Sequence, residues 1–216
     1  PDQPSSNDVY EISQLTYGVD VSRWQGDIDC SAVAADGITF AMIKCGGGDD
    51  GLYEDRKFEQ NIQGALANGI QVGVYFYSGA SNAREAYDEA SYCISLIRDY
   101  QITYPVAFDW ELDGDYDSVT EACETFCNVI SSYGYQPMVY SNRNRWYNNF
   151  DGEKIASKYK VWMAAYFGKF YYDSVRWTYG DDLPNFRYHY DMWQYSSRCY
   201  VDGISGQVDV DIAFFG

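Results

Sequence analysis

Tyr104-Pro-Val-Ala-Phe-Asp-Trp-Glu111 is a short run of β-forming residues that ends in two carboxylates. Alternate side chains of a strand face the same side. Val106, Phe108 and Trp110 therefore share one face, and Ala107, Asp109 and Glu111 share the other. The apolar face suits packing under a layer of helices. The acidic face then opens into a barrel, at the strand's C-terminal end, where such barrels carry their active sites. Two residues of strand separate the two Cα atoms by roughly 6.6 Å. Like charges that close tend to split their pKa values, so one carboxyl can stay protonated near neutral pH. A protonated acid beside a carboxylate is the equipment for breaking a glycosidic bond. The plainer alternatives are a solvated strand end or a calcium loop with Asp113, Asp115 and Asp117. That loop lacks the twelve-residue EF-hand pattern and its closing Glu.

Strand and helix patterns alternate around this stretch. Tyr17–Val21, Thr39–Lys44, Gln71–Tyr77, Pro105–Trp110, Gln136–Tyr140, Val161–Tyr166, Tyr190–Tyr195 and Gln207–Ile212 read as strands. Asp55–Asn68, Asn82–Tyr100 and Ser118–Tyr133 carry apolar residues at helical spacing, with stops at Gly69 and Gly134. The alternation predicts an α/β fold with parallel strands, and eight strands predict closure into a TIM-like barrel. Helical patterns fade between the last three strands. The expected barrel is therefore modified, with about five βα units followed by three strands with few helices.

The first and last strands repeat the acidic design. Gly18, Asp20 and Ser22 share one face; Asp209 and Asp211 share another. In a closed barrel these two strands are neighbours, so Asp20 and Asp209 meet Asp109 and Glu111 in one mouth. One acidic strand end is weak evidence for a site, and three at one rim are much stronger. Tyr75, Tyr77, Tyr140, Trp162 and Trp193 are the candidate substrate-binding aromatics of such a cleft.

Composition fits a glycan ligand and excludes others. Among 216 residues, 32 Asp and Glu oppose 15 Lys and Arg, a formal net charge of −17. Such a chain suits neither a nucleic-acid backbone nor an anionic membrane surface. No apolar run reaches transmembrane length. The single histidine, His189, excludes His-x-x-x-His zinc sites, and neither metal nor cofactor is expected. The 23 Tyr and 6 Trp offer flat faces for sugar rings, although a Tyr-rich core is the blander explanation. Cys30, Cys45, Cys93, Cys123, Cys127 and Cys199 are irregularly spaced and read as buried thiols; one or two disulfides stay open if the protein is secreted. Residues 1–15 are polar and rich in Pro, Ser and Asp, as in a linker or leader remnant, and 16–216 read as one catalytic barrel.

Gly18-Val-Asp-Val-Ser-Arg-Trp-Gln-Gly26, Phe40-Ala-Met-Ile-Lys44, Phe58-Glu-Gln-Asn61, Val72-Gly-Val-Tyr75, Pro105 to Glu111, Val139-Tyr-Ser141, Met192-Trp-Gln-Tyr-Ser196 and Gly206-Gln-Val-Asp209 run in one order. With them the chain resembles the glycoside hydrolase family 25 lysozymes, the Chalaropsis-type N-acetylmuramidases. The resemblance implies cleavage of the β-1,4 bond between N-acetylmuramic acid and N-acetylglucosamine in peptidoglycan. It implies Glu111 as general acid/base and Asp109 as the group that orients the 2-acetamido group or stabilises charge at the anomeric centre. Asp20 and Asp209 complete the acidic floor. The implied partner is the peptidoglycan glycan strand, met by a monomer outside the cell, at the wall or delivered by phage. A separate wall-binding module would offset the negative charge. A chitin-type N-acetylglucosaminidase and a non-catalytic glycan-binding barrel are the alternatives. Three departures stand out. Cys45-Gly-Gly-Gly48 replaces a Thr-Glu-Gly loop and is expected to be mobile. Asp211 stands where Asn is common. Residues 168–190 match nothing and read as a lid or a covered loop.

Overall fold

The structure is a computed structural model that describes residues 15–166 and 183–215. The expected N-terminal linker and most of 168–190 lie outside the described residues. One sheet contains β1 (Thr16–Val21), β2 (Phe40–Gly47), β3 (Tyr53–Glu54), β4 (Gln71–Tyr77), β5 (Val106–Asp109), β6 (Pro137–Asn142), β7 (Lys160–Ala164), β8 (Met192–Cys199) and β9 (Val208–Ala213). β1 pairs with both β2 and β9, so eight strands close into a barrel, and β3 is a short flap on the end of β2. The helices are α1 (Cys30–Ala35), α2 (Phe58–Ala67), α3 (Ala83–Ile97), α4 (Tyr116–Ser132), α5 (Arg143–Asn148) and α6 (Gly152–Ala156). One or two helices follow each of β1, β2, β4, β5 and β6. None follows β7, β8 or β9 among the described residues. This is the modified barrel that the fading helical patterns predict.

The expectation of parallel strands fails at one position. β9 runs antiparallel to both β8 and β1. Residues 200–207, which join β8 to β9, are too few for a parallel crossover, which takes a dozen or more. The chain can only turn back. α1, α5 and α6 also escape the periodicity reading, because five or six residues do not repeat a helical pattern. Each is started by a side-chain cap instead, from Asp29, Asn142 and Asp151.

The sheet buries both faces. Val106, Phe108 and Trp110 point outward into the layer under the helices, as the alternation in 104–111 predicts. Phe40, Met42, Ala107, Met138 and Met192 fill the barrel interior. Phe126 of α4 joins helix to sheet, its ring 5.2 Å from Phe108 and 6.1 Å from Phe76. It is fully buried. Phe126→Ala is expected to cost about 3–5 kcal/mol and to lower Tm by roughly 10 °C. A calorimetric scan checks this, and a shift under about 2 °C would show that the layer collapses around the lost ring.

Cys45-Gly-Gly-Gly48 is not a mobile loop. β2 runs through Gly47, three residues beyond the predicted strand end, and Gly46 and Gly47 are buried. A Cβ on Gly46 would overlap the Tyr53 carbonyl, and one on Gly47 would overlap the Tyr53 ring. The glycines let β3 lie directly on β2.

Candidate active site

Barrel closure brings the acids into one open cleft of about 210 Å³. Asp20, Asp109, Glu111 and Asp209 line it, as the alternation predicts, together with Tyr75, Tyr140 and Trp162. Asp20 lies directly across from Asp209 in the antiparallel β1–β9 pair, and Gly18 lies across from Asp211. β9 thus delivers Asp209 from its N-terminal end, because the strand runs the other way.

Each carboxyl is displaced from its ordinary titration. Asp109 is 3% exposed, and its Oδ1 has no hydrogen-bond partner. Burial raises its pKa most, the Glu111 charge adds to that, and Lys44 opposes it. Glu111 stands just past the end of β5, open to solvent on one side and flanked by protein on the other. Desolvation raises its pKa against the pull of Arg145 and Lys44. Burial and the Glu111 charge push Asp209 up to about 6, while a hydrogen bond with Asp20 pulls it down. Asp20 and Asp211 are buried and shifted upward chiefly by that burial. The Trp162 Nε1–H donates to Asp211 Oδ1 at 2.8 Å and favours its ionised form.

Gln194, which is not among the residues expected from the sequence to form the site, organises this floor. Its Oε1 accepts from the Tyr140 hydroxyl at 2.8 Å and the Tyr166 hydroxyl at 2.6 Å. Two donors on the carbonyl side fix the amide's orientation. Nε2 must then face Asp20 Oδ2, to which it donates at 2.6 Å. Trp193, one residue earlier, is not in the cleft. Its side chain is fully buried on the outer face, and its indole N–H donates to the Ala165 carbonyl at 2.8 Å. The period of two in β8 turns Met192, Gln194 and Ser196 inward and Trp193 and Tyr195 outward. That signal was present in the sequence and points to the amide rather than the indole. Tyr77 stands at the rim, with Lys44 Nζ 4.6 Å from its ring centroid.

Supporting residues hold the rim. Arg145 of α5 donates from one guanidinium nitrogen to the Leu112 carbonyl at 2.5 Å and to Asp113 Oδ1 at 3.0 Å, tying down the loop that follows Glu111. Asp115 caps α4 by accepting from the Ser118 backbone N–H at 3.0 Å. The acidic run 113–117 thus has structural work.

Glu89 of α3 holds the loop after β4. Its carboxylate accepts from Ser78 Oγ at 2.5 Å and from the Gly79 N–H at 2.8 Å. Burial pushes its pKa up to about 7. A raised carboxyl binds its proton more tightly in the folded state. Its contribution is complete below the unfolded value of about 4.3 and is lost as pH rises through 7. We expect Tm to fall between pH 5 and 8, and Glu89→Gln to remove about 3 kcal/mol of that dependence. Parallel melting curves of wild type and variant over this range would reject the assignment.

Comparison with known proteins fits the geometry. The family model described as glycosyl hydrolases family 25 matches residues 19–204. The autolytic lysozyme of Clostridium acetobutylicum is 28% identical over 200 residues, covering 90% of this chain and 54% of that protein. Lysozyme M1 of Streptomyces globisporus is 29% identical over 206 residues, covering 89% and 65%. This chain thus spans about half to two thirds of the length of those relatives. Among solved structures, the CTP1L endolysin superposes with a TM-score of 0.76 at 25% identity, covering 91% of this chain and 65% of that one. With a family model spanning most of its length and the acidic barrel mouth described above, the chain belongs to the glycosyl hydrolases of family 25.

Proposed function

We propose that this chain hydrolyses peptidoglycan by cleaving the β-1,4 bond between N-acetylmuramic acid and N-acetylglucosamine. The observation that carries the reading is the pairing of buried Asp109, one oxygen unpartnered, with Glu111 at the rim of an aromatic cleft. Asp109 is the more deeply buried of the two, and burial raises both carboxyls above their ordinary range. A substrate acetamide N–H donated to Asp109 Oδ1 favours the ionised form of that carboxyl. The proton then resides on Glu111, which protonates the leaving oxygen. Asp109, negative and close to the anomeric centre, stabilises the charge that develops on the sugar or holds the acetamido group. Asp20 and Asp209 complete the acidic floor, and Gln194 fixes Asp20. Tyr75, Tyr140 and Trp162 provide faces for the sugar rings.

The wider setting follows from the same reading. The chain is one catalytic barrel that acts on the wall from outside the cell or from a phage, as a monomer, joined to a wall-binding module in a longer protein. The related lysozymes are longer than this chain, which is compatible with such a module.

Digestion of purified peptidoglycan, followed by reduction and mass spectrometry, tests the bond. Reduced muramic acid ends are expected. Reduced N-acetylglucosamine ends would move the cut to the other bond, and faster turnover of chitin oligomers would make the chain a chitin-type glycosidase. Binding with no product would make it a glycan-binding barrel.

A further inference from the structure

Lys44 and Arg23 stand at the mouth of the barrel. Neither forms an ion pair with a carboxylate among the described residues, although acids outnumber bases by more than two to one. Both lie against aromatic rings instead. Lys44 Nζ is 4.6 Å from the Tyr77 ring centroid and 5.6 Å from that of Tyr53. The Arg23 guanidinium is 4.8 Å from the Trp24 ring. Trp24 is 74% exposed, yet it is held on a rigid turn whose capping box joins Ser22 and Gln25. The Arg23 backbone N–H donates to Asp55 Oδ2 at 3.2 Å, which fastens this turn to the segment that follows Tyr53. Gly46 and Gly47 let Tyr53 lie on β2. Asp49 and Asp55 lie along the same path, but Asp49 accepts from the Tyr53 hydroxyl and Asp55 from backbone N–H groups. The result is a ridge of Tyr77, Lys44, Tyr53, Arg23 and Trp24 leading away from Asp109 and Glu111.

We propose that this ridge is a binding subsite for the peptide-bearing part of the glycan, with a sugar face on Trp24 and a stem-peptide carboxylate on Arg23 and Lys44. The proposal rests on the hydrolase reading above and adds the part of the substrate that lies beyond the scissile bond. A chain of net charge −17 repels anionic ligands over most of its surface. A peptide carboxylate is therefore best held through charge-assisted hydrogen bonds at Arg23, which forms no ion pair among the described residues, with Lys44, whose charge also acts on Asp109 and Glu111, at the inner end of the ridge. The rings keep the two cations in place without neutralising them. An indole already rigid in solvent loses little freedom when a sugar stacks on it.

Trp24→Ala, Arg23→Gln and the double variant test this on peptidoglycan strands that keep their stem peptides and on the same strands stripped by an amidase. Both side chains reach solvent, so all variants should melt within about 2 °C of wild type. On peptide-bearing strands the double variant is expected to raise KM about tenfold, with kcat within twofold. The amidase leaves the lactyl group as a free carboxylate close to the sugar ring, so on stripped strands the Arg23→Gln effect on KM should shrink relative to peptide-bearing strands, while Trp24→Ala keeps its defect. High salt should erase the Arg23→Gln effect only. Unchanged KM on peptide-bearing strands for both single variants and the double variant would overturn the subsite. Should wild type cleave neither polymer, the hydrolase reading fails first. Equilibrium binding of the two strand types to wild type and double variant then decides the ridge, and equal affinities would reject it.

Discussion

Glu111→Gln folds like the wild type and loses about 10³-fold or more in kcat on peptidoglycan. General acid catalysis contributes about 10²–10⁴-fold, and a primary amide at this position cannot give up a proton at neutral pH. The substitution keeps size and shape. Glu111 stands at the rim rather than in the core, so its replacement leaves no cavity. It also removes a charge that raises the pKa of both Asp109 and Asp209. At neutral pH the variant should therefore melt at the wild-type temperature or slightly above it. KM should stay within a few-fold, because the acid acts on the leaving oxygen in the transition state more than on the bound sugar. Counting new reducing ends beside a melting curve checks both halves. Wild-type turnover in a folded variant would remove Glu111 from the mechanism. Loss of turnover together with a collapsed melting transition would make the residue structural.

The faces of the strands were legible because side-chain alternation is local. Residues 104–111 place Asp109 inward and Phe108 outward whatever surrounds them. Asp209 was placed correctly even though β9 runs opposite to the expected direction, since alternation is indifferent to strand polarity. Direction itself depends on connection length, and the eleven residues between the predicted strands Tyr190–Tyr195 and Gln207–Ile212 fall short of the dozen or more that a parallel crossover takes. The chemistry of an indole points to Trp193 and the parity of β8 to Gln194, and the parity decides which of the two reaches the cleft. The hydrogen bond from Gln194 to Asp20 spans 174 residues of sequence. No local pattern announces such a partner. The three glycines illustrate a different limit. Glycine permits either a flexible loop or a close approach, and only the position of Tyr53 separates the two. Arg145 and Lys44 depend on the same kind of distant placement, one on a short helix with no periodicity and the other between two rings.

Asp109→Asn should lower kcat about 10²–10³-fold, and its pH profile separates two ways in which that loss can arise. Asn keeps an oxygen able to accept an acetamide N–H, so substrate binding should change little. It lacks the charge. If Asp109 stabilises a developing positive charge, kcat falls and KM holds, the pattern of an interaction made mainly in the transition state. The neighbouring acid reports the same change independently. Activity requires Glu111 to carry a proton, so the alkaline limb of the profile follows its pKa in the complex. A negative Asp109 close by raises that pKa. Its neutralisation should therefore move the alkaline limb toward lower pH, leaving Arg145 and Lys44 to pull Glu111 further in the same direction. Stability should move the other way. Ionised Asp109 is costly to bury, and its raised pKa means that wild type loses stability as pH climbs. The variant should hold its melting temperature better at pH 8 than wild type does. A profile of unchanged shape with unchanged kcat would remove Asp109 from catalysis. Normal kcat with a large rise in KM would recast it as a binding group for the acetamide alone.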